Sequence, residues 1–148
     1  MISNKCNYAL RALLELAKRD GGGPATIVDI AQAQSIPARF LEAILRQLKQ
    51  AGLTESVRGK KGGYVLAKPA RSITIGEVIR LMEGPFFAPE PGSSSKGAGQ
   101  GTRTHDVFEK IWRRAEDALN EVYDSTNFAD LAEADRQASM QFVADYTI

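Results

Sequence analysis

The chain has 148 residues, of which 43% are hydrophobic and 25% charged, a balance typical of a globular protein with one core and an appended segment. No apolar run approaches the roughly 20 residues that a membrane-spanning helix needs, and the first residues lack a secretion signal, so we expect a cytoplasmic protein without membrane contact. The single cysteine, Cys6, excludes an internal disulfide and a metal centre held by several thiolates.

The two halves of the chain carry opposite charge. Residues 1–71 contain 12 lysines and arginines against 5 acidic residues, a net charge of +7, whereas residues 72–148 contain 7 against 13, a net charge of −6. A basic half predicts a surface that binds a polyanion, and the acidic half is expected to stay away from that polyanion. The alternative is two solvated surfaces of opposite sign.

The spacing of apolar residues predicts three helices before residue 53. They run over residues 4–19, from a capping box at Thr26 to about residue 34, and from about Pro37 to Gly52. Two short strands, 53–57 and 64–67, then flank the glycine-rich turn RGKKGG, and a capping box at Thr74 begins a helix that ends at Gly84. This is the order of a winged helix-turn-helix, so we expect a mainly α fold with a small β-hairpin, in which residues 1–83 bind DNA.

The remainder of the chain predicts a loop and a dimerisation element. Residues 84–104 are rich in glycine, proline and serine and predict a flexible loop, and residues 105–148 predict a helix of about 20 residues, a short helix over about 128–134 and a tail. The long helix carries an apolar stripe, formed by Phe108, Ile111, Trp112, Ala115 and Leu119. A second copy would bury this stripe in a homodimer, and the alternative is a helix that folds back on its own domain.

On the third helix, five residues remain outside when the apolar stripe faces inward: Ala38, Arg39, Glu42, Ala43 and Arg46. An arginine can donate two hydrogen bonds to guanine, and a glutamate can accept one from the amino group of cytosine. We therefore interpret Arg39 and Glu42 as candidate base contacts. The alternative is a solvated face on which Glu42 pairs with Arg46, four residues later.

The hairpin turn offers a second contact to DNA. Arg58 suits a narrow minor groove or a phosphate, Lys60 and Lys61 can neutralise further phosphates, and glycines such as Gly59 let the backbone approach a duplex. A nucleotide-binding loop is less consistent with the sequence, because the turn lacks P-loop spacing and leads into a strand. An ordinary exposed hairpin is the other alternative.

Three blocks resemble the Rrf-two family of bacterial transcription regulators: YALRALLELA, FLEAILRQLKQAGLTESVRGKKGGYVL and ITIGEVIRLMEG. The resemblance covers most of residues 8–84 and continues more weakly to the end. It implies a dimeric winged helix-turn-helix regulator, which we expect to be a repressor, bound to pseudo-palindromic double-stranded promoter DNA. The full set of expected DNA contacts is Arg39, Phe40, Glu42, Arg46, Arg58, Gly59, Lys60, Lys61 and Tyr64.

Many members of this family hold an iron–sulfur cluster on three cysteines in the loop before the long helix. Here that loop reads PEPGSSSKGAGQGT and has no thiolate. Asn7 stands where NO-sensing members have an aspartate ligand, and His105 alone stands where some members have a histidine ligand. We therefore expect no metal and no cofactor, and we interpret His105 as an early residue of the long helix.

The sequence is most similar to the cluster-free, CymR-like branch of the family, in MEGP, in VYDSTNFADLA and in its final isoleucine. That resemblance implies a link to cysteine or sulfur metabolism and a complex with cysteine synthase, whose pocket would take the tail residues Tyr146 and Ile148; a frayed end is the alternative. A second function class is an interaction module that binds such a metabolic enzyme and contacts DNA incidentally.

Two further sequence features bear on chemistry. The chain has one histidine and no convergent set of acid–base residues, so we expect that it is not an enzyme. Cys6 lies near the start of the first helix, where the helix dipole can lower a thiol pKa and favour a redox switch. The alternative is that Cys6 serves as a small apolar residue.

Overall fold

The computed structural model describes residues 2–86 and 103–146, and within the second range the side chains of residues 107–144. Its elements in chain order are α1 (Asn4–Lys18), α2 (Ile27–Gln34), α3 (Ala38–Gln50), β1 (Thr54–Val57), β2 (Gly63–Leu66), a short 3-10 turn (Ala70–Ser72), α4 (Ile75–Glu83), α5 (Arg103–Asp124) and α6 (Phe128–Tyr146). The predicted mainly α fold with one hairpin is confirmed. Within the described ranges, no helix is both long enough and apolar enough to cross a membrane.

The helix starts follow the local sequence signals. The Ser3 hydroxyl accepts a hydrogen bond from the backbone N–H of Cys6 at 3.2 Å and caps the amino-terminal end of α1. Thr26 and Asp29 form a reciprocal capping box, with distances of 3.1 and 2.9 Å, at the start of α2. Ser35, at φ 51°, ends α2 in the left-handed region, and the turn through Pro37 leads into α3. A turn of this length is typical of a helix-turn-helix.

The core lies where α1 crosses α2, α3 and α6. Buried side chains on α1, such as Leu13 and Leu16, pack with Ile30 of α2 and with the apolar stripe of α3. Phe128, at the first position of α6, is 1% exposed and belongs to the same core. The long α6 is therefore part of the domain core at its beginning.

The hairpin is tied to the loop between α1 and α2. β1 and β2 are antiparallel, with a register that runs from Thr54↔Leu66 to Val57↔Gly63. Tyr64 also pairs with Ala25: its backbone N–H donates to the Ala25 carbonyl at 2.8 Å, and its own carbonyl accepts from Ala25 at 3.0 Å. The hairpin is thus held on both sides by backbone hydrogen bonds.

The connection between α5 and α6 is fixed to the start of α4. The backbone N–H of Ile75 donates to the Thr126 carbonyl, and that of Phe128 donates to the Ile73 carbonyl, both at 3.0 Å. Arg80 of α4 extends this contact by donating to the Asp124 carboxylate at 2.6 Å. These bonds fix the carboxy-terminal end of α5 against α4.

Two predictions at the carboxy-terminal end have different outcomes. The long helix is confirmed as α5, with 22 residues. The short helix over about 128–134 was wrong, because α6 continues to Tyr146 over 19 residues. No glycine or proline interrupts it, and side-chain pairs such as Glu133 with Arg136, at 2.8 Å, support the exposed part. The predicted flexible loop 84–104 lies largely outside the described residues.

Glu15 is a buried carboxylate in α1 that joins three elements. It is 5% exposed and accepts hydrogen bonds from Arg19 at 2.6 Å and from Gln34 of α2 at 2.9 Å. Lys18 lies beside it and also pairs with Asp135 of α6 at 2.8 Å. Burial alone would raise the pKa of Glu15, but the hydrogen bonds from Arg19 and Gln34 and the charges of Arg19 and Lys18 outweigh burial and lower it.

We expect Glu15→Gln to cost about 1–3 kcal/mol of stability at neutral pH, because the half-buried donors Arg19 and Gln34 lose a charged, buried acceptor. A carboxylate whose pKa is lowered by folding contributes fully above its ordinary pKa, near 4.5, and this contribution is lost as the pH falls through the lower folded-state pKa. Urea denaturation of both proteins over an acidic pH series measures the difference, which should shrink toward low pH. Glu55→Gln, at an exposed position, is the control. A loss of stability from Glu15→Gln that does not change with pH would contradict the lowered pKa of Glu15.

Candidate nucleic-acid interface

The third helix separates its residues into a buried and an exposed face. Its buried face consists of Leu41, Ile44, Leu45 and Leu48. Arg39, Glu42 and Arg46 are all exposed on the other side, as predicted from the stripe. The outer face of α3 therefore presents two cations and one carboxylate to solvent.

Phe40 holds the first turn of α3 against α1. Its ring stacks on Tyr8 with 6.0 Å between ring centroids, and the side chain remains 43% exposed. The guanidinium of Arg39 lies over the Phe40 ring, 4.7 Å from its centroid. This stack orients Arg39 at the amino-terminal end of α3. Tyr8 was not recognised from the sequence, since its spacing gave no sign of a contact with the third helix.

Glu42 and Arg46 form the intrahelical ion pair that the sequence offered as an alternative. Their N···O distance is 3.1 Å, and both side chains are about two thirds exposed. Such a surface pair contributes about 0–1 kcal/mol, so a ligand can separate it at little cost. The pair is present in the free protein and leaves both groups accessible.

The hairpin turn, residues 58–62, carries three exposed cations: Arg58, Lys60 and Lys61. The Gly62 N–H donates to the Gly59 carbonyl at 3.0 Å, which closes the turn, and Gly59 has φ 111°. Within the part of the chain that the structure describes, none of the three cations forms an ion pair. Their charge is therefore available to an anionic partner.

Two glycines of the hairpin are required by the close approach of backbone. A Cβ at Gly63 would lie 2.4 Å from the Ala25 carbonyl oxygen, and one at Gly62 would lie 2.3 Å from the Val57 carbonyl oxygen. Both are main-chain atoms that cannot rotate away. By contrast, a Cβ at Gly59 would meet no atom within 4 Å, so that residue needs glycine only for its φ.

A lysine contact joins α3 to the hairpin. The Lys49 ammonium, in the last turn of α3, donates to the Ser56 hydroxyl of β1 at 2.7 Å. Tyr64, expected as a DNA contact, is half-buried with its backbone paired to Ala25. The third helix and the hairpin are therefore linked directly as well as through the core.

The structure favours the interpretation of Cys6 as a small apolar residue over that of a redox switch. The side chain is fully buried in α1, and burial, together with the charge of Glu83 and a hydrogen bond to it, raises the pKa of the thiol to about 11. Glu83 is itself held by the backbone N–H of Ser3 at 2.9 Å and by the Ser3 hydroxyl. A thiol with this pKa carries almost no thiolate at neutral pH, and Cys6 serves as a small core residue.

The predicted dimerisation stripe lies on α5, where it is exposed at its amino-terminal end. Phe108, Ile111 and Trp112 are about half exposed, and the rings of Phe108 and Trp112 stack at 6.3 Å. Ala115 and Leu119, further along, are half-buried. His105 is the third residue of α5, so its interpretation as an early residue of the long helix is confirmed. The side chains of His105 and Tyr146 and the whole of Ile148 lie outside the described residues, so the expectation for the tail stays a prediction.

The arrangement of helices and hairpin is matched in known proteins. The family model Rrf2, described as an iron-dependent transcriptional regulator, matches residues 2–134. The chain belongs to the Rrf2 family. This is the Rrf-two family whose sequence blocks the chain resembles, so that prediction is confirmed.

Individual relatives of this Rrf2 protein agree with the family assignment. The HTH-type transcriptional regulator CymR of Bacillus subtilis (strain 168) is 37% identical over 145 residues, which cover 96% of this chain and 99% of that protein. The solved structure of B. subtilis CymR, described as the global cysteine regulator, has a TM-score of 0.76 over 90% of this chain and 97% of that one. T. potens IscR is 33% identical to this chain, and its solved structure has a TM-score of 0.72 over 93% of this chain and 90% of that one.

These matches establish a DNA-binding transcriptional regulator of the Rrf2 type that is similar to CymR, with the winged helix-turn-helix fold predicted from the sequence. The relatives that carry this assignment are regulators and not enzymes.

The residues present do not fit an iron–sulfur cluster, although the family description refers to iron. Such clusters are held by several thiolates, and the whole sequence has one cysteine, which is buried in α1. Among the described residues, no group of three or more histidine, cysteine, aspartate or glutamate side chains is placed to hold a metal ion.

We expect Gly63→Ala to destabilise the protein by about 2–3 kcal/mol, because the new methyl group would overlap the Ala25 carbonyl that pairs with Tyr64. Gly59→Ala is the matched control in the same hairpin: it strains φ alone and should cost about 1 kcal/mol. Urea denaturation measures both. Equal losses would show that the contact with Ala25 does not limit the hairpin.

Proposed function

We propose that the protein is a homodimeric repressor that binds double-stranded promoter DNA through the outer face of α3 and the cations of the hairpin turn. The observation that carries this proposal is the set of exposed cations, Arg39, Arg58, Lys60 and Lys61. Within the described residues they form no ion pairs, and they stand on two elements that the core and the Lys49–Ser56 contact hold together. Fixed, unneutralised cations suit a rigid polyanion such as duplex DNA.

In the proposed complex, α3 reads bases from the major groove. Arg39 lies in its first turn, where recognition helices contact base edges, and its position over Phe40 limits the side-chain freedom lost on binding. Glu42 and Arg46, once separated, would contact a cytosine amino group and a phosphate. Arg39 with guanine would contribute about 1–3 kcal/mol of discrimination.

The hairpin turn would act as the wing. Arg58 would enter the minor groove or grip a phosphate, Lys60 and Lys61 would neutralise phosphates, and Gly59 would let the turn approach the backbone closely. Tyr64 would act at the base of the wing, where its backbone bonds to Ala25 hold the strand in place.

Dimerisation would use α5. The contacts of α5 that the structure describes with the rest of the chain lie at its carboxy-terminal end, where Asn120 and Asp124 meet Arg80 and Tyr123 stacks on Phe86. The apolar residues of the first half, including Phe108 and Ile111, are thereby left exposed. A second copy would cover them and would present two recognition helices to one face of a pseudo-palindromic site. In this proposal residues 1–83 form the DNA-binding domain, 84–104 a connecting loop and 105–148 the dimerisation part.

A role in cysteine or sulfur metabolism is supported by the similarity to CymR, which is described as a global cysteine regulator. We propose that the promoters bound by this protein belong to genes of that metabolism, and that cysteine synthase is its enzyme partner. Sequencing of genomic fragments that the purified protein retains tests the first part, since unrelated neighbouring genes would contradict it.

We expect DNA affinity to fall steeply with salt, and Arg58→Ala and Lys60→Ala each to flatten the slope of log affinity against log salt by about one unit, because each removes one phosphate contact. Fluorescence anisotropy on a retained fragment, at several salt concentrations, measures this slope. Arg136→Ala, an exposed arginine of the acidic half, is the control and should leave the slope unchanged. Salt-independent affinity would overturn the proposal.

We expect Ile111→Glu to convert the dimer to monomer, because it places a charge in the centre of the apolar face of α5. Sedimentation velocity measures the change, and affinity for a two-half-site fragment should fall with it. Lys110→Glu makes a larger change of charge one residue earlier, on the opposite side of the helix, and should remain dimeric. If both variants stay dimeric, α5 is not the interface.

A further inference from the structure

A cleft of about 300 Å³ lies between the first turns of α1 and α3, beside the proposed DNA-reading face. Tyr8, Phe40 and Ile44 are among the residues that line it, and two cations, Lys5 and Arg39, lie among them as well. Its size is at the lower end for pockets that hold small molecules. Neither the family assignment nor the proposed DNA contact gives this cleft a role.

The apolar part of the cleft is preformed. The rings of Tyr8 and Phe40 are stacked with an angle of 24° between their planes, and Ile44 is fixed in the core at 2% exposure. An apolar body placed there would contact the two aromatic rings above a floor that Ile44 helps to form, without repacking the core. Rigid, concave apolar surface of this kind favours a small ring or a short alkyl chain.

The polar part of the cleft favours an anion. Within the described residues, neither Lys5 nor Arg39 forms an ion pair, so both can donate to a bound ligand. Arg39 presents a planar fork that matches a carboxylate, and Lys5 adds a second charge from α1. Inorganic phosphate would satisfy the cations but would leave the aromatic surface unused.

We propose that this cleft binds a small organic carboxylate with an aromatic or short aliphatic body, and that this ligand weakens DNA binding. The first part stands on the cleft alone, and the second rests on the proposed function. Because Arg39 would pair with the carboxylate, it would be withdrawn from guanine and its charge would be neutralised. By linkage, DNA would weaken ligand binding by the same factor.

Calorimetric titration of the DNA-free protein with phenylacetate, hexanoate and indole acetate tests the site, with phenylacetamide as the uncharged match of phenylacetate. We expect at least one of these carboxylates to bind, and phenylacetate to bind about tenfold more tightly than phenylacetamide, since the charged group gains hydrogen bonds worth that factor. Ala43→Leu places a larger side chain in the cleft from an exposed helix position and should abolish binding. Lys5→Gln should reduce carboxylate binding and leave phenylacetamide unaffected.

Binding of none of the carboxylates, equal binding of phenylacetate and its amide, or binding that survives Ala43→Leu would each overturn the site. A cleft occupied by a second copy would appear as a change in the dimer constant of Ala43→Leu without ligand binding, and would also overturn it. The effect on DNA is measured separately, by anisotropy with and without the carboxylate that binds; unchanged DNA affinity would refute the coupling. Complete absence of DNA binding would refute the proposed function and leave the calorimetric result intact.

Discussion

Burial of the apolar stripe of α3 is the constraint on which the candidate interface depends. Leu41, Ile44, Leu45 and Leu48 are all nearly inaccessible, and each buried side chain of this size contributes about 1.5–3 kcal/mol. The exposed Glu42–Arg46 pair contributes about 0–1 kcal/mol, so it cannot determine how the helix is rotated. The stripe alone sets that rotation. The polar residues of α3 point outward because the apolar ones cannot.

The hairpin obeys a backbone constraint of a different kind. Its turn is exposed and positively charged, but β2 is fixed to the α1–α2 loop by the two hydrogen bonds between Tyr64 and Ala25. This approach is close enough that Gly63 has no room for a side chain. Mutual repulsion among Arg58, Lys60 and Lys61 therefore acts on a turn whose base is fixed. The folding free energy therefore offsets the repulsion among these charges before any anion binds.

Most of the fold could be predicted from the sequence where periodicity and capping signals agree. The capping signals at Thr26 and Thr74 and the stripe of α3 are local patterns, and the structure confirms the helices they predict. The box at Thr26 is reciprocal, whereas at Thr74 only the hydroxyl caps the helix. The full length of α6 could not be predicted, since its exposed half has no apolar stripe and is extended by weak helix propensity. The contact of Tyr8 with Phe40 and the burial of Cys6 depend on tertiary packing, which a single sequence does not contain.

The two halves of the chain meet at a junction that fixes the orientation of α5 relative to α4. The backbone bonds of Ile75 to Thr126 and of Phe128 to Ile73 lie against a buried aromatic ring, so the junction cannot slide without exposing Phe128 and breaking both bonds. The Arg80–Asp124 pair is half exposed and can adjust. In the proposed dimer, the angle between α4 and α5 at this junction would therefore set the separation of the two recognition helices. In this proposal, a signal that moves the junction would change DNA affinity through the separation of the two helices, and a ligand in the cleft at Arg39 would change it at the outer face of α3 itself.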